Sequence, residues 1–305
     1  MSKVRDLLEM IRFSHTIFAL PFALLAAVMA WTAETPGSEA VSFHWLHLLG
    51  ILICMVGARS AAMTFNRIAD RFIDAENPRT ASRHIPAGKV SMPTALAFLI
   101  ISMVVFFAGS ALFLPNWLPM AVGVPVLAVL LGYSYAKRFT ALAHFWLGVA
   151  LMLAPICAWL AVRGLIVMEN PLDVTPSVML GLAVLFWVSG FDMIYACQDY
   201  DYDCEKQLNS VPVRLGIAGA LRLAAVCHAV MMVILIAMPL VRIGPDLSLG
   251  WLYWLTVAGI GGLLIYQHSL VRPDDLTRVN IAFFNVNAIL SFGLFVLGSI
   301  DLLVI

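Results

Sequence analysis

Charge is what this sequence has least of. Asp, Glu, Lys and Arg make up only 12% of its 305 residues, where an ordinary soluble domain carries about 25%. With 62% of the residues hydrophobic, that shortage excludes a soluble globule, which could not hide so much apolar surface. An excess of either sign is missing as well. Eighteen basic and eighteen acidic residues cancel, so bulk electrostatics offers no basis for nucleic-acid binding. Cysteine is scarce, and Cys54, Cys157, Cys197, Cys204 and Cys227 are odd in number and scattered, which excludes a disulfide framework.

What is present in quantity is long apolar runs. Each is long enough to cross a hydrocarbon core of about 30 Å as a helix. Bounded by Pro, Gly or charge, the runs predict an all-α, polytopic membrane protein with nine transmembrane helices. They fall near residues 14–33, 46–65, 93–114, 117–136, 142–162, 177–196, 219–241, 250–270 and 281–303. The cut between the third and fourth rests on "LPNWLP" at 114–119, a turn signal. The first run follows Lys3, Arg5 and Arg12 and reads as a retained span, because equally apolar runs succeed it. With the N-terminus cytoplasmic, 15 of the 18 Lys and Arg residues fall on inner segments, and that asymmetry supports nine spans with the C-terminus outside.

Two inner loops, 66–92 and 196–218, stand out in length and charge. Asp70 and Asp74 open one, Asp199 and Asp203 the other, and each acid of the second pair lies 129 positions after its counterpart, which suggests two corresponding halves. Four residues along a helix is about 6 Å and returns to the same face. Asn66, Asp70 and Asp74 therefore form one oxygen-bearing stripe, with Arg59 seven residues upstream, and Asp192, Tyr195, Asp199 and Asp203 form a second. Facing carboxylates repel unless a cation lies between them. Mg2+ suits such a site, since it takes one or two carboxylates completed by water and phosphate oxygens. Arg79, Arg83, Lys89, Lys137, Arg138 and Lys206 are then available for phosphate. Together these residues describe a diphosphate site. Glu76 and Asp201 lie off the stripes and read as solvated surface, while His84, His144, His228 and His268 show no ligand spacing.

These motifs resemble the UbiA-type intramembrane aromatic prenyltransferases. Asn66, Asp70 and Asp74, with the helical Arg59 one heptad earlier, match the family's first motif. Asp192, Tyr195, Asp199 and Asp203 match its second, and "YSYAKRFT" at 133–140 looks like its segment between spans four and five. The resemblance covers nearly the whole chain. It implies a single domain over 1–305, with helices around a central cavity and catalytic cytoplasmic loops at 66–92 and 196–218, in the inner membrane as a multi-pass protein. It also implies Mg2+-dependent transfer of a polyprenyl group from its diphosphate to a ring carbon of a small aromatic acceptor in ubiquinone or menaquinone synthesis. The metal ligands would be Asp70, Asp74, Asp199 and Asp203.

On this reading Arg59, Arg79, Arg83, Lys137, Arg138 and Lys206 bind substrate. Asn66 and Asp192 are candidates for orienting the acceptor hydroxyl or removing the ring proton, Tyr195 for facing the cation, and His15 for meeting an acceptor carboxylate. The first motif reads Asn-Arg where Asn-Asp is frequent, and "NSVPVRLG" replaces a Lys-Ser-Thr run. "RFSHTIFALPFALL" and "YACQDYDYD" look more like the branch that makes menaquinone through futalosine. The acceptor stays open between 4-hydroxybenzoate, a dihydroxynaphthoate and another aromatic. A membrane transporter is the alternative from another class, but transporters hold ionisable groups near the bilayer midplane, where only Arg59 would lie here.

Overall fold

In lipid a backbone must satisfy its own polar groups, and a long apolar run does so as a helix. The computed structural model describes residues 2–11, 19–35, 41–78 and 80–304. His15, Arg12 and Arg79 therefore lie outside the described residues. Twelve α-helices follow in order among the described residues. They are α1 (Ser2–Met10), α2 (Leu20–Thr32), α3 (Trp45–Ala69), α4 (Arg71–Glu76), α5 (Met92–Ala111), α6 (Leu118–Phe139), α7 (Ala143–Glu169), α8 (Thr175–Ala196), α9 (Tyr200–Glu205), α10 (Val211–Ala237), α11 (Trp251–Ser269) and α12 (Asn287–Val304). Only isolated bridges, Glu34 with Asp246 and Arg272 with Asp275, represent β structure among those residues.

Among the described residues, seven helical stretches are long and apolar enough to cross a membrane. They comprise α3, α5, α6, α7, the stretch containing α8, α10, and Ile281–Val304, where a π-helical turn runs into α12. The two other expected spans are also helical. The described part of α2 has 13 residues. α11 has 19 residues but is diluted by Tyr253, Tyr266, Gln267 and His268. The expected turn at 114–119 separates α5 from α6, and there Asn116 Nδ2 donates to the carbonyls of Leu160 and Ala161 on α7.

α8 is the centre of the bundle: two-thirds of its apolar window is buried, against 28–39% for the other six stretches. Trp187, Val184, Val188, Met193 and Ile194 are wholly enclosed. Lipid gives apolar helices little reason to associate, so close approach through small residues matters. At Gly57 an added side chain would collide with the backbone of Phe106 on α5. Large side chains such as Ile100, Val104, Val124, Val233 and Ile265 face outwards, as a lipid-covered surface requires. A small apolar crevice, lined by Leu25, Met29, Leu180, Leu235, Tyr253 and Leu294, lies towards the end of the bundle away from the acidic motifs.

The two expected inner loops are more helical than their sequences suggest. α4 and α9 fold within them, and in the second a short helical stretch from Val211 breaks at Gly216 (φ 69°, ψ 167°), after which the apolar part of α10 runs on, close to the expected loop end near residue 218. Ser210 caps α10 by accepting from the Val213 amide, and Pro212 occupies the first turn, where its missing N–H costs nothing.

Candidate active site

α3 and α8 end in the same way. Each apolar helix ends within its motif, α3 directly and α8 through a 3-10 turn at Cys197–Asp199, an Asp takes the bridge conformation, and a helix of six residues follows. The turning residues are Asp70 (φ −91°, ψ 5°) and Asp199 (φ −98°, ψ 7°), in a region of backbone space frequented by active-site residues. α4 and α9 are offset by the same 129 positions as the acids. The stripes therefore bend at their middle acid, where straight helices would have kept them linear.

At the first end, Asn66 Nδ2 donates to Asp70 Oδ2 at 2.8 Å. Arg138, from the end of α6, donates to Asp70 Oδ1 at 3.1 Å and to the Ala69 carbonyl at 2.7 Å. Burial pushes the Asp70 carboxyl above its ordinary value; Asp74 adds to that rise, and Arg138 and Asn66 oppose it. Asp74 is buried, and its Oδ1 accepts from Arg83 Nη1 at 2.6 Å. Arg67 is buried too, giving Nη1 to Asn66 Oδ1 at 3.2 Å and Nε to the Met10 carbonyl at 3.4 Å.

At the second end, Asp192 lies one turn into the bundle and pairs with His144 of α7 at 2.6 Å. Tyr195 stacks at 4.2 Å on Phe283 of the π-helical turn. Asp203 is buried, with Lys137, Asp199 and His144 among the groups in its electrostatic surroundings. The two ends meet. Tyr202 OH donates to the Ile73 carbonyl at 3.3 Å, and Lys206 reaches Glu76 at 2.9 Å. Tyr133 of α6 is within electrostatic reach of both Asp70 and Asp192.

Whether these residues suit a divalent cation can be judged from their oxygen atoms. Asp74 Oδ2 and Asp203 Oδ2, one from each end, are buried without a hydrogen-bond partner among the described residues. An unpartnered buried carboxylate oxygen is costly. Hard oxygens in pairs are what magnesium takes, so the donor set fits.

The expected phosphate-binding cations are differently engaged. Arg83 is on Asp74, Arg138 on Asp70 and Lys206 on the exposed Glu76. Lys137 lies near Asp203, and Arg59 is partly buried along α3. Tyr135 points outwards under the Arg138 guanidinium, 4.9 Å from its ring. His84 sits with Asp6 and Glu9, their ligand atoms within 4.8 Å of one another, although Glu9 already pairs with Arg5 at 2.8 Å.

The model of the UbiA prenyltransferase family matches residues 19–289. The chain belongs to that family. A 4-hydroxybenzoate octaprenyltransferase of Cupriavidus necator is 30% identical over 257 residues, covering 81% of this chain and 80% of the relative. One from Burkholderia mallei is 29% identical over 279 residues, covering 90% and 89%. A UbiA homologue from Aeropyrum pernix has this fold with a TM-score of 0.80 and 31% identity, over 93% of this chain and 96% of its own. Another, from Archaeoglobus fulgidus and solved bound to DMAPP and Mg2+, has a TM-score of 0.70 at 18% identity over 98% and 100%, a likeness of fold.

As a UbiA member the protein is a prenyltransferase, which decides between catalysis and transport. Sequence reasoning about this UbiA chain missed three groups: His144, Arg67, and the Phe283 ring against Tyr195. Partners 48 residues apart on separate helices, as His144 and Asp192 are, follow no local spacing. For Arg67 a signal existed, since it directly follows the stripe's first residue.

Proposed function

We propose that the protein is a Mg2+-dependent enzyme of the inner membrane that transfers a polyprenyl group from polyprenyl diphosphate to a ring carbon of an aromatic acceptor. The acceptor is 4-hydroxybenzoate or a dihydroxynaphthoate, and the product serves quinone synthesis. The observation that carries this reading is the meeting of two acidic helix ends, each with a buried carboxylate oxygen left without a partner. Nine spans with the N-terminus cytoplasmic form a single domain, and the loops 66–92 and 196–218 carry the catalytic groups at its cytoplasmic edge.

Asp70, Asp74, Asp199 and Asp203 would hold the metal. When bound, magnesium supplies Lewis-acid neutralisation of the leaving diphosphate. Arg83 and Arg138 are held beside the acids by the ion pairs described above, and exchange to phosphate oxygens needs only side-chain rotation. Arg79, Lys137 and Arg59 complete the cationic set. Lys206 contributes less, being exposed and paired with Glu76. Asn66 and Asp192 orient the acceptor and take part in removing its ring proton. The rings of Tyr195 and Phe283 give the cationic end of the prenyl chain an aromatic, water-excluding wall. The apolar tail stays in lipid, which favours it by about 0.8 kcal/mol per methylene.

The test is incubation of membranes containing the protein with magnesium, a labelled prenyl diphosphate and each candidate acceptor. Prenylated acceptor is expected with one aromatic acid, and its formation is expected to stop with chelator or with Asp70→Ala. Failure to prenylate any phenolic acid would refute the reading.

A further inference from the structure

α7 and α8 approach closely beside the acidic motifs because α7 offers Gly148, where a side chain would run into the Leu185 carbonyl and the Ser189 hydroxyl. This approach sets His144, wholly buried, against Asp192, with Nδ1 2.6 Å from Oδ2. The other ring nitrogen, Nε2, lies 3.3 Å from the Val211 amide at the start of α10. A backbone N–H can only donate, so Nε2 must present its lone pair, and the single ring proton sits on Nδ1, aimed at Asp192. His144 is thereby a one-way donor to the carboxylate. Asp192 Oδ1 makes no hydrogen bond among the described residues, and the side chain keeps 16% of its surface exposed. Tyr133, in reach of Asp70 as well, is close to the same carboxylate.

We infer that His144 is a positioning residue. It holds one oxygen of Asp192 so that the other accepts the hydroxyl hydrogen of a phenolic acceptor. The inference rests on the prenyl-transfer reading above and adds an orientation to it. A fixed carboxylate repels an anionic group, so the acceptor turns its hydroxyl, and not its own carboxylate, towards α8. His144 also caps α10 through Val211, and a purely structural cap is the role from which positioning must be separated.

Two amide variants make that separation. His144→Asn keeps an N–H where Nδ1 stood but cannot reach Val211, whereas His144→Gln can offer an oxygen to Val211 but gives up the contact with Asp192. In membranes with geranyl diphosphate, magnesium and whichever of 4-hydroxybenzoate or a dihydroxynaphthoate the wild type turns over, His144→Gln is expected to lower kcat/KM for the acceptor by about 10- to 100-fold. KM for geranyl diphosphate should stay within about twofold, and His144→Asn should keep acceptor kcat/KM within about fivefold of the wild type. A Gln variant as active as the Asn variant, or a loss falling equally on donor and acceptor, overturns the inference. If His144→Asn does not accumulate as folded protein, Asp192→Asn in the wild-type and His144→Gln backgrounds decides. The two changes are then expected to be non-additive, and additive losses overturn the inference. A wild type that prenylates neither phenol removes the underlying reading too, an outcome distinct from active wild type with indifferent variants.

Discussion

Buried acids occur at both ends of this bundle, and they are treated in opposite ways. At the end away from the motifs, Asp173 is fully enclosed and every oxygen is used. Arg163 Nε and Nη2 donate to it at 2.9 and 2.7 Å, Trp159 Nε1 at 3.1 Å and Thr35 Oγ1 at 2.6 Å. Arg163 in turn donates through Nη1 to the carbonyls of Ala30 and Ala33. Asp301, also enclosed, takes the Gly250 and Tyr253 amides and caps α11. At the motif end, Asp74 and Asp203 are nearly as buried, yet each keeps one oxygen bare. Burial of an acid is common to the two ends, so burial alone does not mark a site. The unfilled valence does. The far end fastens α2, α7 and the turn before α8 together, while the motif end holds back oxygen atoms that the fold itself does not use.

The largest effect that would break this comparison concerns the far end. Asp173→Asn or Arg163→Met leaves one member of a buried pair uncompensated, and a loss of about 3–5 kcal/mol of stability is expected, read by thermal or denaturant unfolding in detergent. Turnover per folded molecule should hardly change. Next comes the motif end. Asp74→Ala and Asp203→Ala are each expected to lower prenyl transfer by about 100- to 1000-fold, with a smaller loss of thermal stability than Asp173→Asn, because each removes an unsatisfied buried oxygen together with few contacts, such as that of Asp74 with the partly exposed Arg83. Should the two ends exchange these behaviours, the distinction between fastening and functional charge fails.

Ligand binding sharpens the contrast. Magnesium with diphosphate at about one hundred times its Kd is expected to raise stability by about 2.7 kcal/mol, an increment that the Asp74→Ala/Asp203→Ala double variant should lose and Asp173→Asn should keep. A pH scan adds a sign. Because burial raises the Asp70 carboxyl above 3.8 in the folded state, its contribution to stability is full below about 3.8 and is lost as pH rises through the raised folded value. Added magnesium, which favours the carboxylate, should reverse that trend. The smallest effect is at Lys206, whose exposed pair with Glu76 is screened by solvent and weak. Lys206→Ala should leave stability almost unchanged and reduce turnover at most a few-fold.

The sequence made the helices legible because long apolar runs admit one backbone solution in lipid. The matched acids were legible because a four-residue step has one geometric meaning on a helix, and the 129-residue offset returns in α4 and α9. What was not legible depended on contacts between helices. Asp70 and Asp199 break their helices with no Gly or Pro to announce it. Arg83, Arg138 and Lys206 were expected to stand ready for phosphate but lie on acids, since each cation pairs with a carboxylate within its reach. Of the two tyrosines in "YSYAKRFT", Tyr133 takes the inward side of α6 and Tyr135 faces outwards, a choice made by packing. His144 was set aside for want of ligand spacing, and only the packing of α7 on α8 brings it to Asp192.

The most direct measurement counts diphosphate released and acceptor prenylated by the purified protein in lipid, with geranyl diphosphate and a phenolic acid. It is made with magnesium, after chelation, and with the Asp74→Asn/Asp203→Asn double variant. The expected result is one diphosphate per prenylated ring, abolished by chelation and by the double substitution. Product formation that survives both would contradict the assignment of the two bare carboxylate oxygens to the metal.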